Sequence, residues 1–144
     1  MTDIEFTQSE TLSNKNGLDT LLMLCSEHHE VGSRVTCSPP PVDSDRDILC
    51  LVRDWRVFVS TAIRDGFTIG GSNTCEQFES AEREMKFISL KRNQDNVNLI
   101  ITESREFVRS FLSATKIAKR LNILDKEDRI ALFQIILYGK GLDQ

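Results

Sequence analysis

Gly32-Ser33, and then Ser44-Asp45-Arg46-Asp47 leading directly into Ile48-Leu49-Cys50-Leu51-Val52, is the stretch whose reading decides the fold. The five apolar residues are too few for a helix and read as a buried strand. Asp45 and Asp47 stand two apart at the mouth of that strand, where a period of two sends both carboxylates out of one face. Hard divalent cations such as Mg²⁺ take such oxygen ligands, commonly one or two carboxylates completed by water and substrate phosphates. The upstream Gly32 lets a backbone approach a phosphate, and Ser33 offers a hydroxyl and an N–H as donors. Asp43 also lies two from Asp45 and is an alternative partner. Asp47 is the better choice because it abuts the apolar run. The plainer reading is a solvated Asp-x-Asp turn after Pro39-Pro40-Pro41, with Ser and Asp satisfying local backbone groups.

The Gly-Ser pair, its spacing to Ser44-Asp45-Arg46-Asp47 and the strand behind them resemble the signature of the polymerase-beta-like nucleotidyltransferase superfamily. Roughly residues 16 to 139 look like its small phage-encoded members. The likeness is best through Phe87-Ile88-Ser89-Leu90-Lys91, Asn98-Leu99-Ile100-Ile101-Thr102, Ala118-Lys119-Arg120-Leu121-Asn122 and Lys126 to Gln134. Arg46 departs from the pattern, which has an apolar residue between its acids. The resemblance implies a minimal nucleotidyltransferase-like fold. It also implies Mg²⁺ or Mn²⁺ on Asp45 and Asp47, and a nucleoside triphosphate held by Gly32, Ser33 and Ser44. The acceptor would be a protein, an RNA or a small molecule, and the location the cytoplasm, a host's if the chain is phage-encoded.

Members of that superfamily generally carry a third carboxylate on a neighbouring strand, and the matching position here is Asn98. Asparagine can ligate a cation through its carbonyl, but it brings no charge and cannot act as a base. Asp95 and Glu103 are close in sequence, yet each has the opposite strand parity to Asn98. Two functions follow. One is a transferase in which Lys91 or Lys119 neutralises developing charge. The other is an impaired nucleotidyltransferase fold that works by binding, as a regulator or inhibitor of a host protein. A third reading, a binder of nucleic-acid ends, rests on basic clusters at Arg83, Lys86, Lys91 and Arg92 and at Lys116, Lys119 and Arg120.

Charge bears on that third reading. The chain of 144 residues has 22 acids against 18 Lys and Arg, a formal net charge of −4. Residues 1 to 30 hold six acids and one base, so the remainder sums to +1. Such a balance disfavours non-specific binding to a polyanion, which is driven by displaced counterions. No apolar run reaches the roughly 20 residues needed to cross a bilayer, and the N-terminus lacks a basic-then-apolar signal, so no membrane partner is expected. Cys25, Cys37, Cys50 and Cys75 lack zinc-type spacing and read as reduced thiols.

Periodicity supplies the frame. Residues 1 to 15 read as a flexible acidic arm, and 16 to 141 as a single domain. Leu18, Leu21, Leu22 and Cys25 predict a helix over 17 to 28, with His28 and His29 as a helix-end pair. Val31 to Val35 reads as a short strand and phosphate turn, and the three prolines as a stiff loop. A strand at 45 to 52 and a helix at 53 to 65 closed by Gly66 follow. Gly70-Gly71-Ser72-Asn73 lacks the Lys of a P-loop and is a connection. Met85, Phe87 and Ser89 alternate as a strand that pairs with Val97 to Thr102 through a turn at Arg92 to Asp95. Helices at 104 to 121, capped by Ser104 or Thr102, and from Lys126 to Tyr138, capped by Asp125, close an α+β domain with a small mixed sheet and two C-terminal helices.

Overall fold

The computed structural model describes residues 17–69 and 87–139. The arm at 1 to 15, the glycine turn at 70 to 73, Cys75, Arg83, Met85, Lys86 and Gly141 lie outside the described residues. Helix α1 covers 17–23, followed by strand β1 (Glu27–Val31), the single helical turn α2 (Ser33–Thr36), β2 (Arg46–Leu51) and α3 (Trp55–Arg64). Then come β3 (Thr68–Ile69), β4 (Ile88–Arg92), β5 (Val97–Thr102), α4 (Arg105–Leu121) and α5 (Lys126–Tyr138). The five strands form one mixed sheet in the order β1-β2-β5-β4-β3. β2 and β5 run parallel at its centre, and every other pairing is antiparallel.

The two central strands are apolar on both faces because both faces are covered. On one side Ile48, Cys50, Leu90, Leu99 and Ile101 pack against Leu18, Leu21 and Leu22 of α1 and Phe58, Val59 and Ala62 of α3. On the other, Val31, Leu49, Leu51 and Ile100 pack against Phe107 and Val108 of α4, with Phe111, Leu137 and Tyr138 at the margin. Asp47 and Leu49 share strand parity, so the acid looks out on the α4–α5 side.

Local chemistry explains the element ends. Asp54 caps α3, accepting from the N–H groups of Arg56 and Val57; Ser104 caps α4 by accepting from Phe107, and Asp125 caps α5 by accepting from Asp128. Thr102 Oγ1 instead accepts from the Ser104 N–H, at 3.0 Å.

Two expectations need correction. The first helix ends at residue 23, and His28 and His29 lie within β1, where His29 opposes Leu49. Glu27 to Val31 hydrogen-bonds along β2 over its whole length, and that ladder outweighs the helical stripe ending at Cys25. Ser33 to Thr36 is a helical turn rather than strand. Along β4, Ile88 and Leu90 face the α1–α3 side, while Phe87 and Ser89 face the α4–α5 side. The apolar α5 buries none of its residues fully; Ile130 is 51% exposed and lines a cavity instead.

Candidate active site

The site is assembled by strand register. Val31 at the end of β1 opposes Asp47 at the start of β2, so the next residue, Gly32, turns directly over the Asp47 carboxylate. Gly32 has φ 81°, and a Cβ built there falls on Asp47 Oδ2 and 2.7 Å from its Cγ. Glycine is therefore required twice, for the backbone conformation and for the close approach of the acid. Gly32→Ala is expected to cost about 2 kcal/mol or more, from overpacking together with strain at positive φ. Thermal unfolding checks this; an unshifted Tm would mean that Asp47 moves aside freely.

Asp47 opposes Asn98 across the parallel β2–β5 pair, and the Asn98 Nδ2 donates to Asp47 Oδ1 at 3.0 Å. The Asn98 carbonyl in turn accepts from the Ser89 hydroxyl at 2.9 Å. Asp45 lies at the strand mouth, 3.9 Å from Lys91 Nζ. Arg46, between the acids, turns to the opposite face and makes a two-pronged pair with Glu30 at 2.9 and 2.8 Å. This partner explains how a charged residue is tolerated where the superfamily pattern is apolar. Arg34 of α2 donates to the Ser44 carbonyl at 3.0 and 2.6 Å, tying the Pro39-Pro40-Pro41 loop to the Gly32 turn.

Partial burial raises Asp47 to about 6, against the donated hydrogen bond of Asn98, with the neighbouring Asp45 adding to the rise and Arg34 and Lys91 opposing it. A carboxyl with a raised folded pKa contributes stability that is complete below its unfolded value near 3.8 and is lost as pH climbs through about 6. Asp47→Asn keeps an oxygen to accept from Asn98, so its Tm should exceed the wild type's above pH 7. The gap should vanish near pH 4. Parallel curves across that window would contradict the raised value.

Gly32, Ser33, Ser44, Asp45 and Asp47 all line a cavity of about 520 Å³ between the sheet edge and α5, and so does Asp43. Asn98 supports its floor through Asp47. Asp95 and Glu103 are committed elsewhere. Asp95 is held low by its two-pronged pair with the buried Arg92, and Glu103 accepts from the Trp55 N–H at 2.8 Å. Lys119, Lys116 and Arg120 lie exposed on α4 away from the cavity lining. The sequence reading missed Arg34, which holds the Ser44 loop, and the lining residues Lys126, Arg129 and the aromatic wall of Phe87, Phe111 and Phe133. Arg34 adjoins Gly32-Ser33 and was within reach; the α5 residues are eighty positions downstream and carry no local signal.

The fold resembles that of a solved structure. The conserved protein GrpB from Enterococcus faecalis matches with a TM-score of 0.52 at 11% identity, over 78% of this chain and 68% of that one. The fold is nucleotidyltransferase-like. At that identity the likeness is one of fold. No family model matches the chain, and no curated protein matches it either.

Within a nucleotidyltransferase-like fold the donors here fit one hard cation, not two. Asp45 and Asp47 bring two carboxylates to one wall, and Asp47 is raised partly by the like charge of Asp45, a cost that a bound cation would relieve. Among the described residues no group of three or more His, Cys, Asp or Glu side chains gathers to hold a metal. The neutral Asn98 beside Asp47, its carbonyl already engaged by Ser89, adds no third carboxylate.

Proposed function

We propose that the chain is a divalent-cation-dependent nucleotidyltransferase, taking a nucleoside triphosphate into this cavity and passing its nucleoside monophosphate to an acceptor hydroxyl. The observation that carries the reading is the meeting of Asp45, Asp47, Gly32 and Ser33 at one end of a cavity large enough for a nucleotide. Asp45 and Asp47 would hold Mg²⁺ or Mn²⁺, which supplies charge neutralisation to the triphosphate. Gly32 and Ser33 bound the phosphate end. Lys126 lines the cavity and makes no hydrogen bond or ion pair among the described residues, which leaves its ammonium for the phosphates. Arg129 is different: its Nη1 donates to the carbonyls of Ile123 and Leu124 and to the Cys37 sulfur, so it anchors α5. In the reaction the acceptor oxygen bonds to the α-phosphorus, the bond from that phosphorus to the β-bridging oxygen breaks, and pyrophosphate leaves. The acceptor proton goes to solvent, because the chain brings no third carboxylate to receive it.

A second reading is favoured by the Ser89–Asn98–Asp47 relay, which fills the third-acid position with a neutral group held at both ends. In that reading the protein binds nucleotide and acts on a host factor without transfer. Titration calorimetry with nucleoside triphosphates in Mg²⁺, paired with transfer of label from α-³²P nucleotide into bacterial host extract, separates the two. Labelled acceptor supports the transferase. Binding without label supports the regulator, and no binding removes both. The host extract is the relevant one because the chain resembles phage-encoded proteins.

A further inference from the structure

We propose that the α5 wall of the cavity is a purine subsite in which Phe133 stacks on the base and Gln134 pairs with its edge. The proposal rests on reading the acidic end as a triphosphate site, and it names the substrate class that end alone leaves open.

The cavity is chemically two-ended. Asp47 lies opposite Asn98 at the start of β5, with Gly32 over it, whereas Phe87 precedes Ile88, which opposes Ile101 near the end of β5, so the acids and the wall of Phe87, Phe111 and Phe133 lie apart along the strands. A ligand that satisfies both must be charged at one end and flat and apolar at the other. The aromatic wall is a built feature. Phe87 stacks on the buried Phe107 at 5.4 Å between centroids, Phe107 meets Phe111 at 5.8 Å, and Phe111 meets Phe133 edge-on at 4.9 Å and 64°. Phe133 is thus fixed through a chain of rings anchored in the core, while staying half-buried and open to the cavity. A positioned ring loses little freedom when a base stacks on it.

Gln134 adds the polar element. Its side chain lines the cavity, and its amide has no hydrogen-bond partner among the described residues. That amide presents a donor beside an acceptor. Adenine places its N6–H donor between two acceptors, N1 and N7, so the amide can pair on either edge. Guanine likewise sets a donor beside an acceptor on its Watson–Crick edge and on its minor-groove edge, so the amide can pair with either purine.

The test measures affinities of the full chain in Mg²⁺ for ATP, GTP, CTP, UTP, adenosine and inorganic tripolyphosphate. ATP is expected to bind about tenfold or more tighter than tripolyphosphate, the gain of a base–aromatic stack. Phe133→Leu should bring the two together without altering tripolyphosphate, Phe133→Tyr should keep the gap, and Gln134→Leu should weaken ATP and GTP without altering tripolyphosphate. The wild-type ratio stands as a test even where a variant fails to fold. Tripolyphosphate bound with ATP no tighter overturns the purine subsite and leaves the phosphate reading intact. Adenosine bound in wild type and lost in Phe133→Leu, with tripolyphosphate unbound, upholds the subsite and overturns the phosphate reading.

Discussion

Asn98→Asp should raise nucleotidyl transfer about 100-fold or more over wild type, the scale at which a positioned acid or base acts. The substitution sets a carboxylate on β5 directly opposite Asp47 in the β2–β5 register, where it can ligate a cation and receive a proton. Ser89 can still donate to the new oxygen, so the side chain should keep its orientation. The amide donor to Asp47 is lost, however, and two acids then face each other beside Asp45. The variant should therefore melt below wild type at pH 7.5 without divalent cation, and Mg²⁺ should recover that loss. Transfer of label from α-³²P nucleotide, measured with the melting curves, checks both halves. A wild type that transfers as well as the variant would deny Asn98 its assigned place. Were neither to transfer while both bind nucleotide, the regulator reading would win.

Asp45→Asn combined with Asp47→Asn should remove divalent-dependent nucleotide binding, by about 100-fold or more, because the two carboxylates are the anionic ligands of the proposed cation. The domain should stay folded. Asparagine at position 47 still accepts from Asn98, and the loss of a half-buried charge relieves the penalty that raises Asp47 to about 6. The Asp45–Lys91 contact that disappears is a long one, 3.9 Å between half-exposed groups, and worth little. Calorimetry with and without Mg²⁺ on the double variant decides the matter, and an affinity that keeps its cation dependence would take the pair out of the site.

Much of the frame was legible in the chain. Ile48 to Leu51 as a strand, a further strand at Val97 to Thr102, its hairpin with β4, the cap at Asp125 and a cap at Ser104 or Thr102 all follow from short-range rules of periodicity and hydrogen bonding. The family resemblance pointed to Asn98, strand parity set Asp95 and Glu103 apart from it, and Asn98 is the residue that bonds Asp47. His28 and His29 show where such rules stop. A helical stripe through Cys25 loses to a five-residue ladder with β2 that no local window contains.

The amino-acid sequence by itself determined the α+β class and the acid pair at a strand mouth beside a Gly-Ser turn, because these depend on neighbours two to a dozen positions apart. Only the tertiary structure decided why Gly32 is glycine, since its missing Cβ would occupy the space of an acid on another strand. It alone joined Asn98 to Asp47, gave Arg46 its Glu30 and buried Arg92 against Asp95. It also brought Lys126, Phe133 and Gln134 across from the last helix to complete the cavity. Those contacts close over fifteen to a hundred residues, apart from the local Arg92–Asp95 pair, and are set by strand register and helix packing, which no spacing in the chain encodes.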